Sequence, residues 1–162
     1  MSDRQFRAAI ITISDRVYTG VYEDKSGPAA QGSLQALGFE IAGTIVVPDE
    51  EAQITVALLA WSSQVELIVT TGGTGCAPRD VTPEATAQVI ERPVPGIAEK
   101  MRIAGSEHEP RSWLSRGVAG LRGKCLIVNL PGSPKGVRES IDAIGQLLIH
   151  AVALSNGGNG HK

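Results

Sequence analysis

Apolar residues in this chain fall into short β-branched runs that alternate with stretches of helical period, and this alternation predicts the elements in order. Ala8 to Ile13 reads as a first buried strand ending at Ser14-Asp15-Arg16. The segment from Gly20 to Lys25 reads as a loop, followed by a helix from Gly27 to Leu37 with Gly38 as its stop. Phe39 to Val47 is a second strand, cut off by Pro48. Asp49-Glu50-Glu51 then opens a helix to about Ser63, with Ile54, Leu58, Leu59 and Trp61 supplying apolar contacts. A third strand, Val65 to Thr70, precedes helices from Pro83 to Ile90 and from Gly96 to Ala104, which are separated by Arg92-Pro93-Val94-Pro95. Leu114-Ser115-Arg116 and Val118 to Arg122 form an extended piece turning at Gly123, and Cys125 to Leu130 is another buried strand. Pro131-Gly132-Ser133-Pro134 turns the chain into a last helix, Lys135 to about Leu154, with Val137, Ile141, Ile144, Leu148 and Val152 on one face.

Strands alternating with helices predict a three-layer α/β fold, a mainly parallel sheet with helices on both faces. Ligands in such sheets bind beyond the carboxyl ends of the strands. Ser14-Asp15-Arg16, Asp49, the Thr71–Asp80 loop and Asn129-Leu130-Pro131-Gly132-Ser133 all follow strand ends, so they are expected to share one rim.

Length and charge narrow the class further. A chain of 162 residues suits one domain, expected over 1–155, with 156–162 (Asn156-Gly157-Gly158-Asn159-Gly160-His161-Lys162) as a flexible C-terminal tail. A formal net charge of −2 without basic clusters argues against nucleic acid or an acidic membrane surface as a main partner. The charged start, Met1-Ser2-Asp3-Arg4-Gln5-Phe6-Arg7, opens directly into a strand, and no apolar run is long enough to span a bilayer. The expected location is cytoplasmic. Cys76 and Cys125 lack metal-ligand spacing, so neither zinc nor a disulfide is expected. Cys125 reads as a small buried residue. His108 and His150 have no partner pattern.

The stretch richest in chemistry is Thr71-Gly72-Gly73-Thr74-Gly75, followed by Asp80-Val81-Thr82-Pro83-Glu84-Ala85-Thr86. Glycines at a strand end let backbone N–H groups approach an oxyanion closely. Thr82-Pro83-Glu84 reads as an N-cap, a proline at the first helical position and an early acid, which sets a positive helix terminus beside the loop. Asp80 lies between these two anion-binding devices, where a carboxylate would repel phosphate unless a cation intervened, so Mg²⁺ is the natural third party. A plain chain reversal is the bland alternative. Neither a P-loop nor a dinucleotide fingerprint occurs.

Taken together, Ile13-Ser14-Asp15-Arg16, Val47-Pro48-Asp49-Glu50, Thr71 to Gly75, Pro78 to Thr86, Leu114-Ser115-Arg116 and Asn129 to Lys135 closely resemble the molybdopterin adenylyltransferases, the MogA-like family. The resemblance runs through nearly the whole chain, in order. It implies the molybdopterin-binding type of α/β fold, a homotrimer, and transfer of AMP from ATP to molybdopterin with release of pyrophosphate in molybdenum cofactor biosynthesis. The adenylylated product would pass to a molybdenum insertase. By matching motifs, Asp49 and Asp80 correspond to the family's two functional aspartates, here read as catalytic and as Mg²⁺ ligands. Gly73, Thr74, Gly75 and Asp80 match its nucleotide and pterin-phosphate loop, and Ser14, Asp15 and Gly72 are expected to bind cofactor beside it. Ser115 matches a pterin-side contact, and Pro131, Gly132 and Ser133 the loop closing the site.

The nucleophile implied is the terminal phosphate of molybdopterin. With a second pKa near ~6 it is already largely dianionic at neutral pH, so the aspartates are expected to hold Mg²⁺ and align phosphates and not to abstract a proton. Arg79, Arg116 and Lys135 are candidate cationic supports. For Asp49, an ordinary N-cap role after Pro48 is the competing reading. Two other functions stay open: a non-catalytic MoaB-like carrier or scaffold that binds molybdopterin, and a nucleotide hydrolase. The MoaB-like relatives depart from the Pro-Arg-Asp-Val-Thr-Pro block, which is intact here.

Overall fold

A computed structural model describes residues 4–159. Four apolar runs become the parallel centre of a six-stranded sheet of order β2-β1-β3-β6-β5-β4. They are β1 (Arg7–Ile13), β2 (Glu40–Val47), β3 (Leu67–Thr71) and β6 (Cys125–Leu130). Every residue of β3 and β6 is buried, as a strand covered on both faces requires. Period-two alternation divides the core. Ala8, Ile10, Leu67, Val69, Leu126 and Val128 face α2 (Ser26–Ala36), α5 (Pro95–Ser106) and α6 (Pro134–Ser155). Ala9, Ile11, Ile13, Ile68 and Ile127 face α3 (Glu51–Ser62) and α4 (Thr82–Val89). The expected three-layer α/β architecture is therefore the observed one.

The other edge is antiparallel. β5 (Ala119–Arg122) pairs with β6 and carries the two-residue β4 (Arg92–Pro93), where proline's missing N–H costs nothing at the margin. The Arg92–Pro95 spacer is thus partly strand. Two short helical pieces were not foreseen: α1 (Asp15–Tyr18), capped by the Ser14 hydroxyl, and a 3-10 turn over Pro110–Leu114. Each is too short to show a hydrophobic period. Leu59 faces outward and not into the core, while Ile54 and Leu58 are fully buried.

At the C-terminus, residues 156–159 of the expected tail are among those described. Asn156 donates to the Lys124 and Val152 carbonyls, and the Gly158 N–H reaches the Ala153 carbonyl at 2.8 Å, so this piece closes α6. Gly160-His161-Lys162 and, at the other end, Met1-Ser2-Asp3 lie outside the described residues.

One buried polar knot crosses the layers. Asn129 of β6 donates to the hydroxyls of Thr70 on β3 and Thr86 on α4, each at 3.0 Å, and accepts from the Val118 N–H at 3.1 Å. Asn129→Leu keeps the volume but strands these groups. It is expected to lower stability by about 2 kcal/mol, read as a lower urea midpoint at fixed protein concentration with an unchanged denaturant slope.

Candidate active site

Because β1, β2, β3 and β6 are parallel, the segments following them emerge on one edge. Ser14-Asp15, Pro48-Asp49, the glycine loop and Pro131-Gly132-Ser133 meet there. The loop turns sharply after β3: Gly72 and Gly73 have φ of +101° and +68°. A side chain on Gly72 would collide with the Ile13 carbonyl, and one on Gly73 with the Thr82 hydroxyl.

Thr82 was expected to cap its own helix. It lies instead inside the first turn of α4, and its hydroxyl donates to the Gly72 carbonyl at 2.9 Å while its N–H donates to the Gly73 carbonyl at 3.1 Å. Arg116 performs the same service further on, with its N–H on the Thr74 carbonyl and its Nε on the Gly75 carbonyl, both at 2.8 Å. By contrast, the N–H groups of Gly73, Thr74, Gly75 and Cys76 donate to no protein group among the described residues. The loop is a cradle of free donors.

Two cavities meet at this loop. One, of about 390 Å³, is lined by Thr12, Ser14, Asp49, Gly72, Gly73, Asp80 and Gly132. The other, of about 530 Å³, is lined by Thr74, Gly75, Arg102, Ser115, Pro131, Ser133 and Lys135. Volumes in this range suit small-molecule ligands.

Asp49 and Asp15 hold each other. The Asp15 N–H donates to Asp49 Oδ2 at 2.9 Å, and the Asp49 N–H donates to Asp15 Oδ1 at 3.0 Å, which locks the loop after β1 to the loop after β2. Asp49 does not cap α3, whose N-cap is Glu50. Burial raises the Asp49 carboxyl above the ordinary carboxylate range, the Asp15 and Asp80 charges add to this, and the Asp15 amide opposes it. Asp15 is held below its ordinary value, first by the hydrogen bond from Arg79, which grips it through Nε at 2.6 Å and Nη2 at 3.1 Å. Arg79 also donates to Glu50 at 3.0 Å. Asp80 Oδ2 accepts from the Ala77 N–H at 2.9 Å.

Of these carboxylates, Asp49 and Asp80 are the two that could hold a Mg²⁺. Among the described residues Asp49 Oδ1 and Asp80 Oδ1 take no protein hydrogen bond, and each aspartate has a carboxylate oxygen beside a glycine of the loop, Gly73 for Asp49 and Gly75 for Asp80. No group of three or more His, Cys, Asp or Glu that could hold a metal occurs among the described residues. One or two carboxylates completed by substrate phosphates is the usual Mg²⁺ arrangement.

Residues 9–150 match the family described as a probable molybdopterin binding domain. The chain belongs to this family. The molybdopterin adenylyltransferase of Escherichia coli K12 is 41% identical over 158 residues, covering 92% of this chain and 80% of that protein. That of Helicobacter pylori J99 is 42% identical over 152 residues, with 90% and 85% covered. Among solved structures, the molybdopterin biosynthesis enzyme MoaB of Thermus thermophilus is similar at a TM-score of 0.89 and 48% identity, covering 94% of this chain and 98% of that chain. The molybdopterin biosynthesis Mog protein of Mycobacterium ulcerans matches at 0.88 and 40%, covering 96% and 99%.

Within this family fold, the residues singled out by sequence fall into three groups. Ser14, Gly72, Gly73, Asp49, Asp80 and Gly132 border the smaller cavity, and Thr74, Gly75, Ser115, Pro131 and Ser133 the larger. Asp15 lines neither, being turned to Arg79. Lys135 borders the larger cavity, as does His108, which carries no local sign of a role. Sequence reading also missed Asp24, which borders the smaller cavity. It accepts from the Thr12 hydroxyl at 2.8 Å and the Gly27 N–H at 2.9 Å, and its only local signal is an acid just before a helix start. Arg102, likewise unforeseen, donates to the Ser115 and Gly117 carbonyls at 3.3 and 3.0 Å. Cys76 and Cys125 are free thiols, and burial pushes Cys125 up to about 12.

Gly73→Ala forces a side chain into the left-handed region against Thr82. It is expected to cost about 1–2 kcal/mol, measured by chemical denaturation. Asp49→Asn tests the sign of the Asp49 shift. A pKa raised in the folded state means that ionisation opposes folding, so the variant should be as stable as wild type or slightly more so at pH 7. The difference in melting temperature should shrink as pH falls through the raised folded value and be gone once pH is below the ordinary value of 3.8.

Proposed function

We propose that this protein is a molybdopterin adenylyltransferase, acting in molybdenum cofactor biosynthesis as a nucleotidyltransferase. The reading rests on one juxtaposition: a loop of free backbone amides, flanked by Asp49 and Asp80, at the divide between two cavities. That is the arrangement needed to hold two phosphorylated substrates with their phosphates in contact.

In this assignment the smaller cavity takes ATP and the larger one the pterin, with Ser115 on the pterin side and Pro131, Gly132 and Ser133 bridging the two. A terminal phosphate oxygen of molybdopterin attacks the α-phosphorus of ATP, the bond from that phosphorus to the bridging oxygen breaks, and pyrophosphate leaves. No proton need be removed from the nucleophile. Mg²⁺, when bound, would offset charge on the transferring phosphates. Asp49 and Asp80 would hold it, the amides of Gly73 to Cys76 would bind phosphate oxygens, and Ser14 and Gly72 would shape the nucleotide side. Asp15 would fix the position of Asp49.

A homotrimer, a cytoplasmic location and hand-over of the product to a molybdenum insertase complete the proposal. These follow the family resemblance carried by the Thr71–Gly75 and Asp80–Thr86 motifs. No helix among the described residues is long and apolar enough to cross a membrane.

The test is pyrophosphate release from ATP and Mg²⁺ with and without molybdopterin. Release only when both substrates are present is expected. Release without the pterin would indicate a hydrolase, and binding of molybdopterin without release a carrier. Asp80→Asn should cut turnover by about a hundredfold or more while the melting temperature barely moves.

A further inference from the structure

Arg116 follows Ser115 on the segment between the 3-10 turn and β5, and by sequence it could serve as a phosphate-binding cation. Its surroundings say otherwise. The guanidinium spends Nε on the Gly75 carbonyl at 2.8 Å, Nη2 on the Asp80 carbonyl at 2.6 Å and Nη1 on the Glu84 carboxylate. Its backbone N–H takes the Thr74 carbonyl. Arg116 is not among the residues bordering either cavity.

Peptide planarity links these contacts to the direction of the loop amides. No peptide bond among the described residues is cis, so the carbonyl of one residue and the N–H of the next point in opposite directions. The Arg116 main-chain N–H on the Thr74 carbonyl thus turns the Gly75 N–H away from it, and the guanidinium on the Gly75 carbonyl does the same for the Cys76 N–H. Holding the Asp80 carbonyl ties down the residue that carries the proposed metal-binding carboxylate. One side chain thus fixes both ends of the Gly75–Asp80 segment.

We infer that the Arg116 side chain is a positioning group that fixes the Gly75–Cys76 peptide of the glycine loop and seats Asp80, and that it does not itself bind phosphate. The inference rests on the proposed reading of the loop as a phosphate cradle. Lysine cannot replace arginine here, because a single ammonium lacks the planar fork that spans two carbonyls and a carboxylate. Glu84 neutralises the guanidinium without touching the loop carbonyls, so its charge is dispensable for the aim of the amides.

The experiment is calorimetric titration of the full chain with inorganic pyrophosphate in saturating Mg²⁺, at a temperature below the melting transition. Wild type, Arg116→Lys, Arg116→Met and Glu84→Gln are compared, with melting curves for each. Both Arg116 variants are expected to weaken pyrophosphate binding by about tenfold or more, since misaimed amides forfeit charge-assisted hydrogen bonds. Glu84→Gln should stay within about twofold of wild type, because only loss of a loop contact costs the tenfold step. Near-wild-type affinity of Arg116→Lys, or tighter binding by Glu84→Gln, would assign Arg116 as a direct cation and overturn the inference. A lower melting temperature with unchanged affinity would reduce it to a purely structural residue and overturn it equally. If wild type itself does not bind pyrophosphate, the cradle reading fails, an outcome distinct from a failure confined to the variants.

Discussion

The site depends on a single conformational constraint: the carbonyls of Gly72 to Gly75 are all satisfied from the protein side. A peptide plane that spends its carbonyl on one side must present its N–H on the other. Thr82 takes the first two carbonyls and Arg116 the next two, and the amides of Gly73 to Cys76 are left without protein partners among the described residues. The positive φ angles at Gly72 and Gly73 permit this geometry, and the long-range partners enforce it. The donors are therefore fixed before any ligand arrives, which is what electrostatic stabilisation of phosphates requires.

The same loop is where the fold's layers converge. Thr71 donates to the Pro131 carbonyl at 2.6 Å and Gly132 packs on Gly72, so the turn into α6 is fastened to the turn after β3. Asn129 joins β3, β6 and α4 immediately beneath. On the other side, the reciprocal bonds between Asp15 and Asp49 fasten the first two strand ends together. The Arg79 grip on Asp15 leaves 57% of the arginine side chain exposed, so its value lies in orientation more than in stability.

The legibility of the sequence follows the range of the interactions involved. Strands β1, β2, β3 and β6 and helix α6 announce themselves because buried parallel strands need unbroken apolar runs and a long helix needs a stripe. The parallel order of those strands then gathers Ser14, Asp49, the glycine loop and Gly132 on one edge, and this too can be reasoned from alternating elements. What escapes is set by partners distant in the chain. Local pattern made Thr82 a helix cap and Asp49 a competing one, whereas Thr82 is spent on the loop carbonyls and Asp49 on Asp15. Arg79 and Arg116 read as free cations because nothing nearby in sequence reveals that they close on Asp15 and on Gly75. The division into two cavities, and the place of Asp24 and Arg102 beside them, likewise arise only when separate elements pack.

The most direct test of this account is backbone amide NMR of the ¹⁵N-labelled full chain during titration with inorganic pyrophosphate. The resonances of Gly73, Thr74, Gly75 and Cys76 are expected to move downfield together as a saturable group, while those of α5 and the sheet interior stay in place. Saturable binding that leaves these four amides unmoved and shifts arginine side-chain signals instead would contradict it.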